Sequence, residues 1–213
     1  MSEKISLKDA ERKAFKFSFQ DGLWDFLLAC FTLMFVIGPY LSSSLGDFWS
    51  SVIFLPFWAL AYLVVLLIRK FVVKPRIGSV RLGSSRKTRL LRFNLLTFTI
   101  LLAFFILGIL TTIDFASLPG WIITARFGLR ILVVFTLAGY FLQFNELFIY
   151  GLLIAFSPII GEWLYVNLKV PHHGFPLAFG ITTGIILIIG LFKFVRILRK
   201  YTPFTTDSLS GQV

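Results

Sequence analysis

Charge is scarce in this chain, and cysteine, histidine and methionine are scarcer still. Only 15% of the 213 residues are charged, where a soluble domain carries about a quarter. Cys30 is the only cysteine and lies within an apolar run, so neither a disulfide framework nor a multi-cysteine metal site can form within one chain. The two histidines, His172 and His173, are adjacent in "VPHHGFP"; neighbours in sequence do not share a helix face, and two ligands without a third make a poor metal centre. A polar turn is the expected role there. The sequence has no P-loop, HExxH, GxSxG or glycine-rich dinucleotide fingerprint, each of which supplies a recognisable chemistry. An enzyme is therefore disfavoured, and no cofactor or metal is expected. No small-residue cleavage site trails the first apolar run, so no removable signal peptide is expected either.

Apolar length is what the chain has in abundance: 57% of its residues are hydrophobic and 17% aromatic. They fall into six blocks, approximately Trp24–Leu41, Trp49–Ile68, Phe93–Ile113, Trp121–Leu142, Leu147–Val166 and Phe175–Val195. Crossing a bilayer core of about 30 Å takes about 20 helical residues. Backbone groups in lipid must be bonded within the segment, so the spans are helices. The expected fold is all-α, a polytopic membrane bundle of about six transmembrane helices at 21–200, with a basic segment at 1–20, a basic loop at 69–92 and a polar tail at 201–213.

Cations orient the bundle. Of the 21 basic residues, all but Arg126, Arg130 and Lys169 lie in the N-terminal segment, the 69–92 loop or the end of the last span, which are on one side if six spans are correct. The positive-inside rule then places both termini in the cytoplasm of a cell-membrane protein. Trp49, Trp121 and Trp163 fall at the opposite, outer interface, where amphipathic rings lie. The net charge of +11 is explained by this flanking, and without a recognition motif no nucleic-acid partner is expected. The expected partners are the lipid bilayer and anionic headgroups, reached through the basic segments, with a protein partner or a second copy of the chain also open. Leu7, Ala10, Ala14 and Phe17 recur at helical spacing after "SLKD", which suits an interfacial amphipathic helix. "VVKPRIGSVRLGSSRKTRLL" has β-branched residues about a "GSS" turn and could fold as a short hairpin or remain a flexible lipid contact.

The sharpest candidate site is in "WIITARFGLRILVVFTLAGYF". Arg126 and Arg130 are four apart on one helix face, inside a stretch otherwise fit for lipid. The short connection 143–146 makes this helix and the next antiparallel neighbours. Folding about residue 144 or 145 brings 126 level with about 162 and 130 level with about 159, so Glu162 is the expected partner of one or both arginines. The cluster reads as a structural ion pair near the interface, as an anion or substrate site, or as the result of a misplaced helix boundary. Asp21 and Asp25, in "FQDGLWDF", lie at the start of the first span, where carboxylates cap free amides and complement the helix dipole. They could instead clamp the basic loop near Arg76 and Arg81, or form a cation or proton site. "GITTG", Gly180 to Gly184, is a small-xxx-small pattern suited to close helix packing.

At "DGLWD" and "KPRIGSV" the chain resembles a loose group of prokaryotic multi-pass membrane proteins of uncharacterised function, which share a DGLWD-like entry to the first helix and a PRIGxV-like segment in a basic loop. The resemblance implies a membrane bundle and no particular activity. The leading functional expectation is a small, non-enzymatic membrane subunit or accessory protein acting with a partner. The alternative is a small transporter or channel with an outer anion-accepting cavity lined by Arg126, Arg130 and Glu162.

Overall fold

The computed structural model describes residues 21–77, 119–142 and 144–201, together with isolated helical positions at Thr88, Leu91, Leu95 and Phe98. The long elements are helices: α1 (Leu23–Val52), α2 (Phe54–Ile68), a π-turn at Arg69–Val73 leading into the short α3 (Lys74–Ile77), then α4 (Gly120–Leu142), α5 (Glu146–Leu168) and, after a 3₁₀ turn at His172–Gly174, α6 (Phe175–Lys200). Gly46 (φ 77°, ψ 162°) interrupts α1 with a conformation that is not helical. The chain reverses there, so that α1 and its continuation supply two spans, Leu23–Gly46 and Phe48–Arg76. With Gly120–Leu142, Glu146–Leu168 and His172–Lys200, five described helices are long and apolar enough to cross a membrane. The protein is thus an all-helical, multi-pass membrane bundle. The expected third span, Phe93–Ile113, lies outside the described residues except for Leu95 and Phe98, as do 1–20 and most of 69–92 and 201–213.

The segment 72–91, open to a short hairpin or a flexible lipid contact, is helical at its start. Val72 and Val73 lie in the π-turn and Lys74–Ile77 is helical. The backbone bonding of α2 carries on through these residues, and the single wide turn just upstream admits Pro75, which lacks an N–H and would conflict with a regular i−4 carbonyl. β-branched composition yields to an uninterrupted helix.

Packing runs α4–α5–α6–α1–α2, each helix against the next, with α6 between α5 and α1. Small residues set the approaches. A Cβ at Gly128 would meet the Ala155 carbonyl of α5, and one at Gly22 would meet that of Gly190 on α6. Phe35 of α1 stacks on the fully buried Phe179 of α6, ring centroids 4.6 Å apart. Hydroxyls finish the seam: Thr32 and Thr183 are 2.8 Å apart, and Ser157 and Thr182 2.7 Å apart. In hydrocarbon such pairs satisfy groups that have no water to turn to. The outer faces are bare by soluble standards, with Phe192 72% and Ile188 70% exposed. Lipid tails are the solvent for these faces.

In "GITTG" the middle residues do the packing. Thr182 and Thr183 are buried, whereas a Cβ at Gly180 or Gly184 would meet nothing within 4 Å among the described residues. At about 100° per residue, positions 182 and 183 point away from the strip shared by 180 and 184.

Candidate functional site

Antiparallel packing of α1 on α6 and α4 on α5 gathers polar groups at the two ends of the bundle. Trp49, Trp121 and Trp163, all well exposed, mark one end, and Lys193 marks the other.

At the lysine end, Asp21 precedes a left-handed Gly22 (φ 78°) that opens α1. Its Oδ1 accepts the Leu23 N–H at 3.0 Å, satisfying one of the helix's free donors. Its Oδ2 accepts two guanidinium bonds from Arg69, Nη2 at 2.7 Å and Nε at 3.2 Å. The clamp on the basic segment is therefore made by Asp21 to Arg69, at the end of the second span. Arg76 is turned elsewhere and donates to the Val72 carbonyl at 2.8 Å. Arg69 also lies over the Trp24 ring, 5.7 Å from its centroid.

One helical turn further on, Asp25 is completely buried. Lys193 of α6 reaches across the bundle with Nζ 3.0 Å from Asp25 Oδ2, 3.4 Å from the Tyr150 hydroxyl and 3.5 Å from Glu146 Oε1. The rings of Phe144 and Tyr150 face the same ammonium at 5.1 and 5.7 Å. One cation thus joins α1, α5 and α6. Asp25 Oδ1, buried with it, has no hydrogen-bond partner among the described residues. Arg69, Lys193, Glu146 and Tyr150 were not singled out from the sequence as site residues. The available signal was that Lys193 is the lone cation within an apolar run, which requires a partner. That partner is 168 positions away, and nothing short of the α1–α6 pairing identifies it.

At the tryptophan end, Glu162 is buried but its partner is His173, with Oε2 and Nδ1 2.9 Å apart. Neither Arg126 nor Arg130 pairs with it among the described residues. The register explains why. A Cβ at Gly120 would overlap the Glu162 carboxylate, and Gly128 sits against Ala155. Glu162 is therefore level with the first residue of α4, six residues and about 9 Å short of Arg126. The facing pairs drift from Gly139–Phe148 near the turn to Gly128–Ala155 and Gly120–Glu162, so an equal count back from the turn stops short on α4. The carboxylate instead lies at the N-terminus of α4, which favours negative charge. Arg126 is on the exposed face of α4 and Arg130 is half-buried.

The polar turn expected at "VPHHGFP" is present, and both histidines have left-handed backbones (φ 54° and 51°). Non-glycine residues hold this conformation when neighbours enforce it. Here Gly161 and Gly174 are in backbone contact, His172 packs on Tyr40 and His173 on Tyr165. A cavity of about 380 Å³ opens at this end, lined by Phe35, Ser42, Ser50, Phe54, His172 and His173 among others. Arg126, Arg130 and Glu162 do not line it. Among the described residues no three His, Cys, Asp or Glu side chains converge as metal ligands do.

This geometry makes a direct expectation. The side chain of His173 is 56% exposed, and pairs open to water contribute at most about 1 kcal/mol. Glu162→Gln should therefore lower the melting temperature only slightly, and a Glu162/Arg126 double-mutant cycle should be additive within about 0.5 kcal/mol. A larger coupling, read from melts in detergent, would restore the arginine pairing.

Comparison with protein-family models, curated proteins and solved structures finds no match. What the fold and its polar ends define is a class, a multi-pass helical membrane protein.

Proposed function

We propose that the protein is a small, non-enzymatic membrane subunit or accessory protein that works with a partner. One observation carries this reading: at the lysine end Asp21, Asp25 and Glu146 each pair with a cation of another helix or turn, Asp21 with Arg69 and the other two with Lys193. Charges arranged to conduct a solute would line a wet passage. The basic residues at 69–92, and both termini, face the cytoplasm in this reading, where they meet anionic lipid or a protein partner. Purification in mild detergent, followed by identification of what co-purifies, tests it directly. A stoichiometric protein partner is expected; a retained small molecule without a protein overturns it.

The cavity at the tryptophan end supports a second reading, transport, with the small molecule entering between α1 and the His172–Gly174 turn. Orientation is tested separately in a Cys30→Ser background. Cysteines at Ser43 and His172 should label from outside with an impermeant thiol reagent, and those at Ser84 and Ser208 only after permeabilisation. Labelling of position 84 from outside reverses the orientation.

A further inference from the structure

Two carboxylates at the start of α1 are built differently. Asp21 accepts three hydrogen bonds, one from the Leu23 N–H and two from Arg69. Both of its oxygens are therefore supplied with donors. Asp25 is more deeply buried yet has a single cationic partner, on Oδ2, and a bare Oδ1. It also shares that partner. The Lys193 ammonium has three N–H groups, and Asp25, Glu146 and the Tyr150 hydroxyl lie within reach of all three.

The charged groups facing Asp25 can be counted helix by helix. From α5 come Glu146 and the neutral Tyr150, from α6 Lys193, and from α1 Asp21, whose charge Arg69 at the end of α2 already balances. Among the described residues, two acids and one base leave one negative charge over, beside the unpartnered Oδ1 of Asp25. A buried net charge of this kind is costly and is relieved by taking up a cation or a proton. The excess is one unit, and among the described residues no three His, Cys, Asp or Glu side chains converge there as metal ligands do. A metal ion needs several such ligands, whereas a proton needs none.

We propose that Asp25, Glu146 and Lys193 form a binding site for a single proton. The proton belongs to the carboxylate pair rather than to either member. Whichever acid holds it, Lys193 pairs with the other, and the 3.0 and 3.5 Å separations let the ammonium serve either. Glu146, with its side chain 32% exposed, connects the site to water, while the side chain of Asp25 is 0% exposed. The site therefore exchanges its proton with the surroundings through Glu146, the exposed member of the pair. No bond other than O–H forms or breaks.

Infrared spectroscopy of the protein in lipid nanodiscs reads this directly, through the carbonyl stretch of a protonated carboxyl and its shift in heavy water. At neutral pH the wild type should show one more protonated carboxyl than Asp25→Asn. Glu146→Gln should lose the same signal although it retains Asp25, because Asp25 and Lys193 then balance one for one. That variant changes a partly exposed residue and keeps the test available if Asp25→Asn does not fold. A Glu146→Gln spectrum identical to wild type overturns the shared site, as does an Asp25→Asn spectrum identical to wild type. Replacing sodium by choline should leave the signal unchanged; a change would mean that a metal cation, and not a proton, balances the charge.

Discussion

Arg69→Gln is expected to destabilise the protein by about 3 kcal/mol. The figure is the low end of the roughly 3–5 kcal/mol for breaking a buried pair, because the Arg69 side chain is 25% exposed and water can replace part of what is lost. Asp21 has no such recourse, since its side chain is only 2% exposed. Removing the arginine strands a carboxylate that still caps α1. Arg69→Gln combined with Asp21→Asn should therefore cost less than Arg69→Gln alone, and Arg69→Lys should rescue incompletely, because a point charge cannot supply two converging N–H groups. Asp21→Asn by itself should be damaging. Asparagine is a good cap in isolation, and helix entry alone would make this change mild. In the structure both carboxylate oxygens accept hydrogen bonds, so an amide must either turn its NH₂ toward the guanidinium or give up the Leu23 N–H. Thermal melts of the four variants provide the measurement. An Asn variant within about 0.5 kcal/mol of wild type, the usual range of a neutral surface change, would mean the ion pair contributes nothing.

The other large effect is expected at the α1–α6 crossing. Gly22 combines a positive φ with backbone contact, and a Cβ there would overlap the Gly190 carbonyl and lie 3.0 Å from the Phe194 nitrogen. Gly22→Ala incurs about 1–2 kcal/mol for the left-handed conformation and a further 1–3 kcal/mol, roughly, for overpacking against backbone that cannot swing aside. Gly190→Ala meets the Asp25 Cβ at 2.8 Å and should also push apart the contact between Lys193 and Asp25. Gly180→Ala is the matched control on the same helix. It has open space around it, so alanine should be neutral or stabilising by about 0.5–1 kcal/mol. Comparing the three by melting temperature separates close approach from helix propensity. A destabilised Gly180→Ala would place another helix against that face of α6.

Much of the architecture is legible in one dimension. Lipid offers the backbone no hydrogen bonds, so an apolar run of sufficient length must be a helix. The blocks beginning at Trp121, Leu147 and Phe175 accordingly coincide closely with α4, α5 and α6. The importance of Asp21 and Asp25 is equally visible, since acids beside an apolar run need donors or cations. Local pattern failed where two local preferences competed, as at 72–77, where β-branched residues follow α2 and join its helix.

What the sequence by itself determined was a class and an inventory: a multi-pass helical bundle, few charges, and a requirement that each charge near lipid find a partner. Which partner each one found was decided by tertiary structure alone. Glu162 lies level with Gly120 and not Arg126, because the facing pairs of the two helices drift out of the register that their turn implies. Asp25 meets Lys193 because α6 lies between α1 and α5, and the glycines at 22 and 190 let their backbones touch. Hydrophobic length is a property of a segment and can be read along it. Charge pairing is a property of distances between segments, and those exist only once the helices have packed.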